Sequence, residues 1–215
     1  MAEPLTLIGF QHSVYTWVVR LALHELELSA DYVEANPFAD PPDPILPRYT
    51  PFRRVPVLEH GAFRLTETAA ILRYLDALVP TCPSQPKDPK ALAQMAQIMG
   101  LVDADVYPIM VRQVFSFGYY ARIVEGLDED PAQVAEGLRR AVPVLSVLEQ
   151  IAAEGRQLNG RALSLADLHL APMMSYFTRV PEGAAALASY PALAGWWAWM
   201  RARSSLVQTD PLAGI

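Results

Sequence analysis

Arg53–Asp76 reads RRVPVLEHGAFRLTETAAILRYLD. Val55–Glu59 is β-branched and apolar, His60-Gly61 is a turn signal, and Phe63–Leu65 resumes extended chain, so the spacing predicts a hairpin. Thr66-Glu67-Thr68 then opens a helix whose apolar face runs through Leu65, Ala69, Leu72 and Leu75-Asp76 at steps of three and four. Pro56 is out of place in a strand, because proline has no N–H to give the ladder. Val55-Pro56 is therefore expected at a strand edge. A cis bond there would turn the Val55 N–H and C=O toward a ligand. Just beyond, the helix start offers unpaired backbone N–H groups that favour an anion. Glu67 adds an acceptor for an ammonium group and Thr68 a hydroxyl donor for a carboxylate. An extended peptide with an amino-acid-like end fits this set.

Val55-Pro56-Val57-Leu58 followed by Glu67-Thr68 resembles the glutathione site of the cytosolic glutathione transferases. In that family V-P-x-L leads through a short hairpin to Glu-Ser at a helix start. Here Thr replaces the usual Ser. The resemblance implies that glutathione lies with its backbone on Val55 and its zwitterion on Glu67 and Thr68. Taken by the residues alone, the same stretch is an edge strand followed by an ordinary capped helix.

On the N-terminal side, Pro4–Gly9 reads as a first strand, His12–Leu28 as a helix with an apolar stripe through Val14, Trp17, Val18, Leu21, Ala22 and Leu26, and Ala30–Glu34 as a second strand. The order βαβ…ββα is allowed by the pattern, and the resemblance names it a thioredoxin-like domain over residues 1–80. Residues 36–51 (NPFADPPDPILPRYTP) hold six prolines, so a full helix is not expected. Family members usually carry a helix here, with a Lys or His for the glycine carboxylate of glutathione. This chain departs from that pattern. Arg54 is the candidate for the glycine end, with Arg48 and Arg53 as alternatives; all three also fit plain surface arginines.

On the C-terminal side, Val79–Pro89 has four prolines and reads as a linker. Beyond it every strong pattern is helical, so residues 89–215 are expected to form an all-α domain. Leu92, Met95, Met99, Val102, Val106, Ile109 and Val114 mark one long helix with Pro108 as a kink. Val134, Leu138, Ala141, Leu145 and Leu148 mark another, with Pro143 as a second kink. Gly155–Gly160 reads as a loop. Ala192–Arg203 reads as a last helix, with Trp196, Trp197 and Trp199 as packing residues, followed by a tail expected either to be loose at its end or to fold over the site. Ser164-Leu165-Ala166-Asp167 has the spacing of a capping box, which stabilises by ~1 kcal/mol. The span Gly160–Asp167 also matches the family's G-x-x-x-S/T-x-A-D folding element, so Asp167 is expected to be structural.

Composition narrows the function. A net charge of -6 disfavours a nucleic-acid partner. No apolar run reaches the roughly 18 residues of a membrane span. The N-terminus lacks a secretory pattern, and Cys82 is the single cysteine, which suits a reducing cytosol. In its proline-rich setting Cys82 reads as a bystander. His12, His24, His60 and His169 show no ligand spacing, so no metal is expected.

Where thioredoxin-like redox proteins carry C-x-x-C, this chain has Ser13-Val14-Tyr15-Thr16. Dithiol chemistry and mixed-disulfide transferases are thereby excluded. A hydroxyl at a helix start remains, able to stabilise a bound thiolate. The stretch Ser13–Leu23 resembles the S-x-x-[ST]-x-x-V-x-x-A-L of the serine-type (phi-, zeta- and tau-like) classes. The resemblance implies Ser13 as catalytic donor, with Tyr15 and Thr16 as backup hydroxyls. A serine that only caps the helix is the simpler alternative.

The resemblance further implies a cytoplasmic homodimer and a small hydrophobic electrophile in a pocket between the domains. Candidates for its lining are Tyr107, Met110 and Phe117, with Tyr15, Phe115, Tyr119 and Tyr120 behind them. Asp103 is a candidate for reaching glutathione bound to a partner subunit. The rival functions are a glutathione-dependent isomerase or dehalogenase on the same scaffold, and a non-catalytic binding protein.

Overall fold

The computed structural model describes residues 3–79 and 84–214. It divides into two compact units, one formed by the residues before Ser84 together with Gln208–Leu212, the other running from Ser84 to Val207. Cys82 and part of the expected linker lie outside the described residues.

The first unit is a mixed four-stranded sheet of order β2-β1-β3-β4. β1 (Leu5–Gly9) and β2 (Ala30–Glu34) are parallel, joined by α1 (Val14–Glu25). β1 pairs antiparallel with β3 (Val57–His60), and β3 with β4 (Phe63–Leu65). α2 (Thr68–Leu78) follows β4. The hairpin is thus present but shorter at its start than expected. The Val55-Pro56 bond is cis, and the ladder begins one residue later at Val57, since proline has no N–H to offer it. The N-terminal helix is shorter than the predicted His12–Leu28, being capped by Ser13 and closed by Leu26.

The proline-rich 36–51 segment holds only one 3₁₀ turn, Leu46–Arg48. It is not loose. Leu46 joins Ile8, Ala35 and Val57 in a buried cluster, with Val33, Ile45, Tyr49 and Val55 packed around it. Asp43 accepts N–H bonds from Asn36 (2.8 Å) and Ile45 (2.7 Å), which hold its carboxyl below the usual range. Arg64 on β4 reaches the Arg48 carbonyl (2.8 Å) and pairs with Glu59 (2.6 Å).

The second unit is helical. α3 (Pro89–Leu101) is capped by Asp88 and passes into a wider, π-type stretch over Val102–Tyr120, closed by the short α4 (Ala121–Ile123). Ala121 N–H donates to the Ser116 carbonyl, five residues back. Pro108 lies in this stretch; it lacks the N–H for an α-helical ladder, and its ring crowds the preceding turn. Where the sequence predicts a kink at Pro108, the structure has a wider helical stretch that contains it. α5 (Pro131–Glu154) runs on through Pro143 and ends at Gly155, whose φ of 73° suits glycine. α6 (Leu165–Arg179) is buried almost all round and forms the centre of the unit. α7 (Pro181–Leu187) and α8 (Pro191–Arg201) complete it, and α9 (Ser204–Thr209) starts in this unit and ends in residues that belong to the first.

The predicted last helix is therefore followed by another, and part of the tail is tied down. Thr209 Oγ1 accepts the buried Trp17 indole N–H at 2.9 Å, and Gln208 meets His24 at 3.0 Å, both within the first unit. A buried indole N–H needs an acceptor, and the chain supplies one 192 residues away.

The box at Ser164 forms. The Asp167 carboxylate accepts the Ser164 N–H (2.7 Å) and the Trp196 indole N–H (2.6 Å). Burial pushes this carboxyl up, while the hydrogen bonds from Ser164 and Trp196 pull it back. Each buried donor left without a partner costs about 1–3 kcal/mol. Asp167→Ala is therefore expected to destabilise by about 2–5 kcal/mol in urea unfolding, with Asp167→Asn, which keeps one acceptor, falling between. Equal stability of all three proteins would contradict the role.

Candidate functional site

Register brings the candidate segments to one end of the sheet. Ile8 on β1 faces Val57 on β3, and Leu58 faces Leu65 on β4. The chain leaving β1, the chain entering β3 and the chain leaving β4 therefore meet at the same edge. These are Phe10–Ser13, Val55-Pro56 and Thr66-Glu67-Thr68. β2 ends there too, since Glu34 pairs with Gly9. Ligands of α/β sheets gather at the carboxyl ends of parallel strands, and this is that end for β1 and β2.

Ser13 is the N-cap of α1 and is half-buried. Its Oγ accepts the Thr16 N–H at 3.3 Å. A hydroxyl has two acceptor lone pairs and one donor, so capping occupies an acceptor and leaves the O–H to donate. The capping and donor roles set apart in the sequence are thus compatible in one side chain. Around it, the first-turn N–H groups carry the positive end of the helix dipole.

Thr16 is fully buried and serves the strand–helix junction: its Oγ1 accepts the Phe10 N–H at 3.3 Å. It packs so close to Gly9 that a Cβ there would collide with Thr16 Cγ2. Glycine at position 9 is required by this approach. Tyr15 is half-buried one residue earlier.

Glu34 and His12 carry no signal in the sequence and emerge only in the fold. Glu34 Oε1 accepts the Gln11 N–H at 3.1 Å, which holds the loop before Ser13. His12 sits edge-on to Phe10, with ring centroids 5.4 Å apart. Burial pushes its imidazole below the usual value, and the Glu34 carboxylate pulls it partly back.

Glu67 is exposed and Thr68 buried at the start of α2. Glu67 has φ 66° and ψ 114°, a backbone state that side chains rarely adopt. Its carbonyl accepts from the Ala70 and Ile71 N–H groups, both at 3.0 Å, so the first helical bonds hold it there. Such a conformation costs about 1–3 kcal/mol, and persists only where surroundings impose it. Arg54 pairs with Glu67 at 3.3 Å. Val55 is half-buried against the Ile8 cluster, outside the ladder that starts at Val57. Arg48 and Arg53 are exposed.

In the second unit the pocket candidates separate. Met110 and Phe115 are core residues, and Phe115 stacks on Tyr176 with centroids 4.1 Å apart. Phe117 is 38% exposed and Tyr107 half-buried, with its hydroxyl pushed above the usual range by burial. Tyr119 and Tyr120 are half-buried beside Phe115. Asp103 Oδ1 lies 3.1 Å from Nε2 of the buried His169. Among the described residues no three His, Cys, Asp or Glu side chains cluster as metal ligands would, and no helix is long and apolar enough to cross a membrane.

Comparison with known proteins places the chain in a family. Residues 7–86 match the family described as glutathione S-transferase, N-terminal domain, and residues 98–204 the glutathione S-transferase, C-terminal domain. A glutathione S-transferase of Hyoscyamus muticus is 31% identical over 71% of this chain and 72% of its own length. Glutathione S-transferase 1 of Dianthus caryophyllus is 28% identical over 80% of this chain and 76% of its own. The crystal structure of glutathione transferase F7 from Populus trichocarpa superposes with a TM-score of 0.83 at 23% identity, over 98% of this chain and all (100%) of that one, a likeness of fold.

Two outcomes follow from the local physics. Glu67→Gly relieves the backbone strain, so its melting temperature is expected at or slightly above wild type, while β-branched Glu67→Val drops by about 1–2 kcal/mol of stability. A glycine variant less stable than the valine variant would contradict this. His12 has a folded value below its unfolded 6.5, so the unfolded chain takes up the proton first. Stability should fall as pH drops through 6.5 and level off below the folded value. Thermal melts across that range should show a shallower slope in His12→Gln; equal slopes would remove His12 from the account.

Proposed function

Because the chain belongs to the glutathione S-transferase family, we propose that it is a serine-type glutathione transferase, which joins glutathione to a small hydrophobic electrophile. What supports this most directly is the convergence, at one sheet end, of a helix-capping hydroxyl with its O–H to spare, the Val55-Pro56 segment outside the ladder, and a carboxylate–hydroxyl pair at a second helix start.

In this function the Val55 backbone pairs with the peptide part of glutathione. Glu67 receives the ammonium and Thr68 the carboxylate of its γ-glutamyl end. Ser13 donates its O–H to the sulfur. A free thiol has a pKa of ~8.5, so only a few per cent is thiolate at neutral pH. A hydrogen bond to a charged acceptor is worth about 1.5–3 kcal/mol and a helix N-terminus about 0.3–1 kcal/mol. At ~1.4 kcal/mol per unit, the two together lower the thiol by about 1.3–3 units, which raises the thiolate share at pH 7 from a few per cent to between about two-fifths and nearly all. The proton leaves to water. The thiolate then attacks an electrophilic carbon: a C–S bond forms, and the bond to the leaving group breaks with its electron pair. No protein atom becomes covalently attached.

Tyr107 and Phe117, both partly exposed residues, are the proposed contacts for the electrophile, with Met110 in the core. The protein is proposed to act as a cytoplasmic homodimer. The Asp103 carboxylate is 45% exposed and retains access to a neighbouring subunit while paired with His169.

The test is the ultraviolet thiolate absorbance of glutathione titrated into the protein near pH 7. Wild type should show the band, and Ser13→Ala should lose most of it along with about 10–100-fold in kcat/KM toward an activated aryl halide. A band that survives in Ser13→Ala would move the role to Tyr15 or the backbone. Absence of any band with saturated wild type would overturn thiol activation.

A further inference from the structure

Arg54 and Glu67 are 13 residues apart in the chain, yet Arg54 Nη2 lies 3.3 Å from Glu67 Oε1. The two side chains are 66% and 65% exposed, so the pair is screened by water and contributes little to stability. The guanidinium also rests over the Phe52 ring, 5.2 Å from its centroid, and Phe52 is itself 64% exposed. A cation is thus stationed beside the carboxylate that receives the ammonium of the ligand, with most of its own side chain open to that ligand.

An α-amino acid carries its ammonium and its carboxylate on one carbon. A ligand whose ammonium sits on Glu67 therefore brings its own carboxylate within a few ångströms of the Glu67 oxygens, and two carboxylates that close repel. A guanidinium already against Glu67 cancels that repulsion and has further N–H donors in its fork for the incoming carboxylate. We infer that Arg54 binds the α-carboxylate of the γ-glutamyl end, beside Thr68, and is not the clamp for the glycine end. Arg54, Glu67 and the amino-acid head then form an alternating set of two positive and two negative charges. Distance excludes the other end: extended glutathione spans about 10 Å, so a guanidinium kept at Glu67 does not also reach the glycine carboxylate. The site selects in this way for ligands with a free amino-acid head.

This inference rests on the proposed glutathione site, and the test separates the two. Glutathione and γ-glutamylcysteine, which lacks glycine, are titrated calorimetrically into wild type, Arg54→Gln and Arg54→Lys, with melting temperatures as a check on folding. Arg54→Gln is expected to weaken both ligands by the same factor, about ten-fold, and Arg54→Lys to recover part of it by keeping the charge without the fork. A loss for glutathione with γ-glutamylcysteine unchanged would overturn the inference and return Arg54 to the glycine end. No loss for either would reduce the pair to a surface contact. Failure of wild type to bind either ligand would overturn the glutathione site itself.

Discussion

Proline 56 has no N–H, and the arrangement of the first unit turns on that missing donor. β3 cannot begin before Val57, so Val55 is left outside the ladder while still packed on the Ile8 cluster. The Ile8–Val57 register then sets where everything else emerges. The loop before α1, the Val55-Pro56 segment and the start of α2 reach the same edge because each strand joins at a matching end. Shift that register by one residue and the core face of β1 turns outward. The Ala35 N–H bond to the Gly9 carbonyl, at 2.7 Å, ties the end of β2 to the same place.

The second unit depends on a different group. Asp167 is buried at the start of a helix that is itself buried almost all round, and its carboxylate joins α6 to α8 through the Trp196 indole. A charge in such surroundings is tolerated because several donors converge on it. The capping box holds the helix start, and the same carboxylate fixes which face of α8 is inside. One residue thereby links local capping to tertiary packing.

The candidate site shows a recurring economy in its polar groups. The Ser13 oxygen accepts one N–H and keeps its proton for another partner. Arg54 and Glu67 neutralise each other across the exposed edge. Glu67 occupies a strained backbone state held by the first bonds of α2. Backbone strain of this kind persists only where the surroundings impose it, and it clusters at functional sites.

Much of this was legible in the amino-acid order, because it rests on chemistry that acts over a few residues. A proline without a donor, a Ser with an Asp three residues on, an apolar stripe at steps of three and four, and a hydroxyl at a helix start mark the hairpin, the Asp167 box, the helices and Ser13. Tertiary structure alone decided the rest. It joined Trp17 to Thr209 and Arg54 to Glu67, placed Glu34 behind Gln11, and sent Met110 and Phe115 into the core while leaving Phe117 partly exposed. It also formed α9 within the tail. The physical reason is common to these cases. A local pattern states which donor needs a partner and which face is apolar. The identity of that partner, and which of two apolar faces is covered, depend on segments brought together only when the chain folds.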